Sequence, residues 1–212
     1  LYAQWFKLTY VDLGLPSGTK WAICNVGATT PEAYGHYFAW GETQTPADYQ
    51  WASYVHGAAP DKLTKYCNDP TVGLGSYTDR KKVLDPADDA ATTHWGKAWR
   101  MPTHKEMEEL RSKCTWTWTS ENGVNGYKVE AKNGNSIFLP AAGSFGGTQV
   151  HFEGAAGFYW CSNLSQENPR YAYSLGFNQE EISCNGDAFR LIRRSIRPVC
   201  RKQAAYKMMQ NQ

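Results

Sequence analysis

Arg100-Met-Pro-Thr-His-Lys-Glu-Met-Glu-Glu-Leu110, running on into Cys114-Thr-Trp-Thr-Trp-Thr119, decides the fold class. Thr103 and Glu106 have the T-x-x-E spacing of a capping box, and Pro102 marks the start of a helix. Met107 and Leu110 share one face of that helix, with Lys105, Glu108, Glu109 and Arg111 around the rest. The Thr/Trp alternation that follows is a strand. Downstream, Asn125-Gly126 leads into Tyr127-Lys-Val-Glu-Ala131, and Asn133-Gly134 leads into Ser136-Ile-Phe-Leu139. Asn-Gly between such runs predicts hairpins, and so an antiparallel meander. Upstream, Tyr10–Cys24 reads as two antiparallel strands around a turn at Pro16-Ser17-Gly18. Short strands continue from Phe158 to Cys200, with alternation in Ala172-Tyr-Ser-Leu-Gly-Phe177. Gly27 to Asp89 shows no period, but Trp40, Tyr49, Trp51, Tyr54 and Tyr66 are rings that seek burial, which argues against disorder. The expectation is one α+β domain over residues 10–200, with a lead-in at 1–9 and a polar tail at 201–212.

Composition narrows the function classes. The 212 residues are 42% apolar and 20% charged, with a net charge of +2. That balance holds no cationic excess for a phosphate backbone, so nucleic acid is not the expected partner. No apolar run reaches the length of a membrane span. Nine Trp, 13 Tyr, 8 Phe and 19 Gly, at a mean hydropathy of −0.59, indicate short strands and ordered loops rather than a helical bundle. Leu1–Tyr10 has neither the basic start nor the apolar stretch of a secretory signal. The chain therefore reads as a mature form, a fragment, or a protein exported by another route.

Candidate chemistry is sparse. Cys24, Cys67, Cys114, Cys161, Cys184 and Cys200 show no zinc spacing; they suit disulfides in an oxidising compartment, but the sequence selects no pairing. His36, His56, His94, His104 and His151 are scattered, without a metal-binding or catalytic spacing. Ala142-Gly-Ser-Phe-Gly146 resembles a nucleophile elbow out of context and reads as a Gly-rich turn. Gly73-Leu-Gly75 matches only part of a phosphate-loop pattern and carries almost no weight. Asp85, Asp88 and Asp89 are the best candidates for Ca²⁺, against the plainer reading of a solvated acidic loop with a turn cap. Asn163-Leu-Ser165 is a glycosylation sequon, relevant only in a eukaryotic secretory pathway. No metal, cofactor or catalytic group is expected.

Several blocks together resemble a known family: Val11-Asp-Leu-Gly-Leu-Pro-Ser-Gly-Thr-Lys-Trp-Ala22, Asn25-Val-Gly-Ala28, Tyr37-Phe-Ala-Trp-Gly-Glu42, Asp88-Asp-Ala-Ala91, Trp95-Gly96, Trp99-Arg-Met-Pro-Thr103 with Glu106, Ile137-Phe-Leu-Pro-Ala-Ala-Gly143 and Ser195-Ile-Arg-Pro-Val199. The pattern is similar to the Fibrobacter succinogenes major paralogous domain of Bacteroidetes surface proteins, over about residues 10–200. Arg100-Met-Pro-Thr103 with Glu106 also resembles the helix-start motif of formylglycine-generating-enzyme domains. The resemblance implies a C-type-lectin-like fold of that type. The calcium-lectin order Glu-Pro-Asn is scrambled in Gln166-Glu-Asn-Pro169, and the catalytic cysteine pair of the enzymes is not recognisable.

The C-terminal part goes further. Tyr159-Trp160, Leu164, Asn168-Pro169, Ala172-Tyr173, Leu175, Phe177 and Ser195-Ile-Arg-Pro198 resemble the fixed scaffold of variable proteins diversified by retroelements, in which miscopied template adenines turn AAY codons into many residue types. The gaps hold Asn163, Ser165, Arg170, Tyr171, Ser174, Gly176, Asn178, Ser183, Cys184, Asn185, Gly186, Asp187, Ala188, Phe189, Leu191 and Ile192, all reachable in that way. The resemblance implies a non-catalytic protein on a bacterial surface or phage particle, binding a protein or cell-surface ligand through these sixteen positions. Independently, Ser174, Gly176 and Asn178 alternate with Leu175 and Phe177, so one strand face is expected to be buried and the other small, polar and outward. Arg170, Tyr171 and Phe189 are of the types that anchor interfaces. The alternatives are a structural surface paralogue with no variable ligand, or an enzyme of formylglycine-generating type.

Overall fold

Thr103 and Glu106 close the expected capping box at the head of the principal helix, α2 (His104–Lys113), and bury Met107 and Leu110. Around it the computed structural model describes residues 9–45 and 50–201. Most of the expected lead-in and tail, and Tyr49, fall outside these residues. The remaining elements are β1 (Tyr10–Val11), β2 (Thr19–Ala22), α1 (Ala90–Trp95), β3 (Trp99–Arg100), β4 (Thr115–Glu121), β5 (Val124–Glu130), β6 (Ser136–Pro140), β7 (Ser144–Gly146), β8 (Gln149–His151), β9 (Ala156–Leu164), β10 (Tyr171–Asn178), β11 (Ile182–Phe189) and β12 (Val199–Arg201). All strand pairs are antiparallel, in sheets of order β1-β2-β12-β3, β11-β10-β9, β4-β5-β6 and β7-β8. With its few helices, the architecture is α+β, as expected. β12 carries regular pairing one residue past the expected boundary, with Arg201 opposite Thr19.

One hairpin differs from expectation. The first Asn-Gly turn is Asn122-Gly123, at φ 50° and 82°, while Asn125-Gly126 lies inside β5. This register places Trp118 opposite Tyr127 and Trp116 opposite Val129, and the Trp118 and Tyr127 rings meet edge-on at 5.2 Å. Cross-strand aromatic pairs of this kind stabilise a sheet. A two-residue turn at Asn125-Gly126 would set Trp118 against Asn133 and lose them. Gly126 instead answers a close approach: an added Cβ would lie 2.3 Å from the Leu139 carbonyl oxygen.

Gly27–Asp89 is irregular, as read, with short 3-10 turns at Trp51–Ser53, Leu74–Ser76 and Pro86–Asp88. Three of the expected rings are inside, Trp40 and Tyr66 fully buried and Tyr54 nearly so, while Trp51 is half-buried and Tyr77 is exposed. The β9–β11 sheet lies between two apolar clusters. Tyr159, Cys161, Leu175, Phe177 and Cys184 face α2 and the meander, while Trp160, Leu164, Ala172 and Ala188 pack with Val26, Phe38, Trp40, Tyr66 and Met101.

Two fully buried arginines tie these parts together. Arg197 donates to Asn25 Oδ1 and to the carbonyls of Ala22, Ile23 and Phe138. Arg190 donates to Tyr54 Oη and to the carbonyls of Tyr66, Pro169 and Lys65. Its guanidinium also lies over the rings of Trp40 and Tyr54. Five donors in a rigid fork suit such scattered carbonyls, and a lysine's single nitrogen cannot span them. Arg197→Lys is therefore expected to lower stability by about 2–4 kcal/mol in urea unfolding; a loss within experimental error would contradict this role.

Glu106 joins the helix to the first sheet. It accepts hydrogen bonds from Thr19 Oγ1 at 2.6 Å, both Arg100 terminal nitrogens at 2.7 and 2.6 Å, and the Thr103 backbone at 2.8 Å. Burial alone would raise this carboxyl, but these donors hold it down at about 2, against 4.5 for the free group. Its contribution is thus complete above pH 4.5 and is lost as pH falls toward 2. Glu106→Gln, although less stable at neutral pH, is expected to show a shallower fall in unfolding free energy between pH 4.5 and 2; an unchanged slope would assign that acid sensitivity elsewhere.

Candidate functional site

One face of the sheet β11-β10-β9 is partly open, with Arg194 lying over it at Trp160 and Ser174. Along it, cross-strand partners form successive rungs: Ala156 with Asn178, Phe158 with Gly176 and Ser183, and Trp160 with Ser174 and Gly186. Small residues on β10 and β11 make the floor of a groove of about 340 Å³, with Phe158, Glu181, Asp187 and Arg194 also lining it. Arg194 lies 4.9 Å over both the Phe158 and Trp160 rings and donates to Ser174 Oγ. A β-bulge between Ser174 and Gly176 interrupts the register with β11.

Of the sixteen positions singled out in the sequence, Ser174, Gly176, Asn178, Ser183, Gly186 and Asp187 converge on this groove. Leu175 and Phe177 point into the core and Asn178 is exposed, as the alternation predicts. At the other end of the β10–β11 hairpin, Tyr171 stacks on Phe189 at 4.3 Å, and Phe189 meets Trp51 edge-on at 6.4 Å. Arg170 donates from Nε to the Pro60 carbonyl. Leu191 and Ile192 are half-buried, and Ile192 packs on the second cluster. For Asn185, only its place in β11 is described.

Four positions are not presented to solvent: Ser165, Ser174, Cys184 and Ala188 are buried. The sheet is covered on both faces here, so alternation selects which core a side chain enters and not whether it is exposed. Ser174, expected outward, lies beneath Arg194 and donates to the Gly186 carbonyl. Ser165 Oγ donates to Asp187. Cys184 sits in the core beside α2, where burial and then the nearby Glu108 push its thiol up to about 12. Asn163 has a structural task as well, since its Oδ1 accepts the His104 N–H at the start of α2.

The groove residues missed in the sequence are Ala156, Phe158, Glu181 and Arg194. A rule that looks for diversified positions carries no mark for a fixed wall residue, and only the register of β9 against β10 brings Phe158 beside Gly176.

The other candidates resolve into structural roles. Asp89 caps α1 by accepting the Thr92 N–H, and it also accepts the Met101 N–H. Asp88 accepts from Lys65 and Tyr66, and Asp85 from Lys81. These carboxylates thus meet protein donors: Asp89 is a cap, as the plainer reading had it, but it is buried and not solvated, and no metal-holding group of His, Cys, Asp or Glu occurs among the described residues. All six cysteines are unpaired, against the disulfides considered above. The His56, His94, His104 and His151 rings each hydrogen-bond a backbone carbonyl. No helix of the described residues is long and apolar enough to cross a membrane. No protein-family model, curated protein or solved structure matches the chain.

Glycine geometry separates the groove from the sheet beneath it. A Cβ on Gly186 would meet nothing within 4 Å, and one on Gly176 would make ordinary contact with the Phe158 ring at 3.4 Å. A Cβ on Gly157 would lie 2.2 Å from the Phe177 ring. Gly176→Ala and Gly186→Ala are expected to change stability by no more than about 0.5 kcal/mol, and Gly157→Ala to lose about 2 kcal/mol or more. Equal losses at all three would mean that the groove floor is as constrained as the core.

Proposed function

We infer that the chain is a non-catalytic binding module of C-type-lectin-like fold, displayed on a bacterial cell or phage particle, whose β9–β11 face is a retroelement-diversified ligand surface. The observation that carries this reading is the convergence of six proposed variable positions on one groove, five of them reaching solvent, over strands that send Trp160, Leu175, Phe177 and Cys184 into two cores. A surface of replaceable side chains on a fixed backbone keeps the ordering cost of binding small. Tyr171 and Phe189 add an aromatic patch on the same two strands, joined by Trp51.

The lectin-like assignment draws on where the resembling blocks lie. Trp21, Trp40, Met101, Leu139, Ile196 and Val199, one or more from most blocks, are all buried, so the shared pattern is a pattern of core. Thiol chemistry favours binding over oxidase activity. Burial raises the pKa of all six cysteines, whereas a redox-active cysteine needs a stabilised thiolate.

Resequencing the gene from the codon for Phe158 to that for Cys200 across a population tests the reading. Substitutions are expected at Tyr171, Gly176, Asn178, Ser183, Gly186, Asp187 and Phe189, and not at Trp160, Leu175, Phe177, Arg190 or Arg197. A uniform segment, or changes spread equally over buried positions, would overturn it in favour of a structural surface paralogue.

A further inference from the structure

A strand at the edge of a sheet offers backbone donors and acceptors to any chain that can run beside it, and several edges of this molecule are blunted. The outer side of β9 is taken by bridges from Asn163 to Val83, Tyr159 to Ser195 and Gly157 to Gly143. β11 is broken by its bulge, and its Cys184 carbonyl accepts the His104 ring. On β6 the Phe138 carbonyl accepts Arg197, and the Pro140 carbonyl accepts Tyr159 Oη. β4 has none of these devices. Its seven residues, Thr115-Trp-Thr-Trp-Thr-Ser-Glu121, pair with β5 without a register shift and contain neither lysine nor proline. Among the described residues no strand pairs with its other side.

The ladder shows which groups of β4 face outward. Ala141 N–H bonds to the Asn125 carbonyl and Ala131 N–H to the Asn135 carbonyl, so Asn125, Tyr127, Val129 and Ala131 turn their backbone toward β6. Gly126, Lys128 and Glu130 therefore bond to β4, through Thr119, Thr117 and Thr115 opposite them. Trp116, Trp118 and Ser120 turn their N–H and C=O away from β5, and these groups have no partner among the described residues. The strand also complements itself. Laid antiparallel on a second copy about Trp118, it sets Trp118 opposite the partner's Trp118, Thr117 opposite the partner's Thr119 and Trp116 opposite the partner's Ser120. In that register each outward N–H meets an outward C=O. Thr–Thr and aromatic pairs are favourable across strands. The one charge of β4, Glu121, falls opposite the partner's Thr115, so no like charges are opposed within the pair. Trp116 and Trp118 are half-buried, and pairing covers more of both rings.

We propose that β4 is a self-pairing edge: two copies of this chain join β4 to β4, antiparallel about Trp118, into one continuous sheet β6-β5-β4-β4-β5-β6. The contact is isologous, so it closes at a dimer. A single strand a side is a small interface, and a dissociation constant of about 10–100 µM is expected. The proposal stands apart from the ligand-binding reading, since no residue of β4 lines the β9–β11 groove. A dimer carries that groove twice, which favours ligands that repeat.

The test is sedimentation equilibrium of the full chain from about 5 to 500 µM, with amide hydrogen exchange at both ends of that range. A monomer–dimer equilibrium is expected, with protection of the Trp116, Trp118 and Ser120 amides only at the high concentration. Ser120→Pro removes an outward N–H that β5 does not use. It is expected to weaken dimerisation at least about tenfold, with little change in the urea midpoint of the dilute chain. Thr117→Glu with Thr119→Glu opposes like charges twice across the pair and is expected to weaken it about tenfold. Thr117→Glu with Thr119→Lys opposes unlike charges instead, and is expected to stay within about threefold of the unsubstituted chain. A monomer throughout, a dimer indifferent to Ser120→Pro, or equal effects of the two double variants would overturn the proposal. Protection of the same amides in the dilute monomer would overturn it too, by placing another segment of this chain on the edge.

Discussion

A buried guanidinium bonded to backbone carbonyls is the constraint on which this molecule depends. A chain with a long aperiodic stretch has many carbonyls outside regular ladders, and burying them without donors would be destabilising. Arg197 answers those of Ala22, Ile23 and Phe138, joining the first hairpin to the meander. Arg190 answers those of Lys65, Tyr66 and Pro169. Burial pulls the Arg197 pKa down, against the nearby Tyr159 and Cys24. These are neutral acceptors around a charge, arranged so that apolar packing can close over both. The aromatic residues of the aperiodic stretch then order around Arg190, with Trp40 and Tyr54 presenting their rings to it.

The placement of Arg190 has a consequence for the candidate site. It sits between Phe189 and Leu191, inside the segment proposed to vary, yet it is fully buried. The residues before it ride on the β10–β11 hairpin, and those after it lead back to the core through Ile196 and Arg197. Changes on the groove floor are thus separated from the closing strand by an immovable point.

Local chemistry was the legible part of the sequence. The capping box at Thr103 and Glu106, the Thr/Trp strand, the Pro16–Gly18 turn and the burial of Leu175 and Phe177 all follow from patterns a few residues long. What failed needed partners from far along the chain. Asn125-Gly126 reads as the first hairpin turn, whereas Asn122-Gly123 three residues earlier makes it, because that register brings Trp118 to Tyr127. Ser174 was expected outward because alternation describes a sheet with one wet face, and this sheet is covered on both over much of its length. For the groove, the small floor residues could be read and the walls could not. Phe158 and Arg194 reach it only through the pairing of β9 and the packing of a loop on that strand.

Of the six thiols, Cys161 and Cys184 lie in the cluster beside α2 with Cys114 packed against it, Cys200 lies in the first sheet and Cys67 in a small cluster of the aperiodic stretch; all six are unpaired, and burial raises their pKa. Folding therefore involves no order of oxidation to be got right, and no mispaired bridge to be reshuffled. The chain's packing is thus the same under reducing and oxidising conditions, because no covalent bridge carries any part of it.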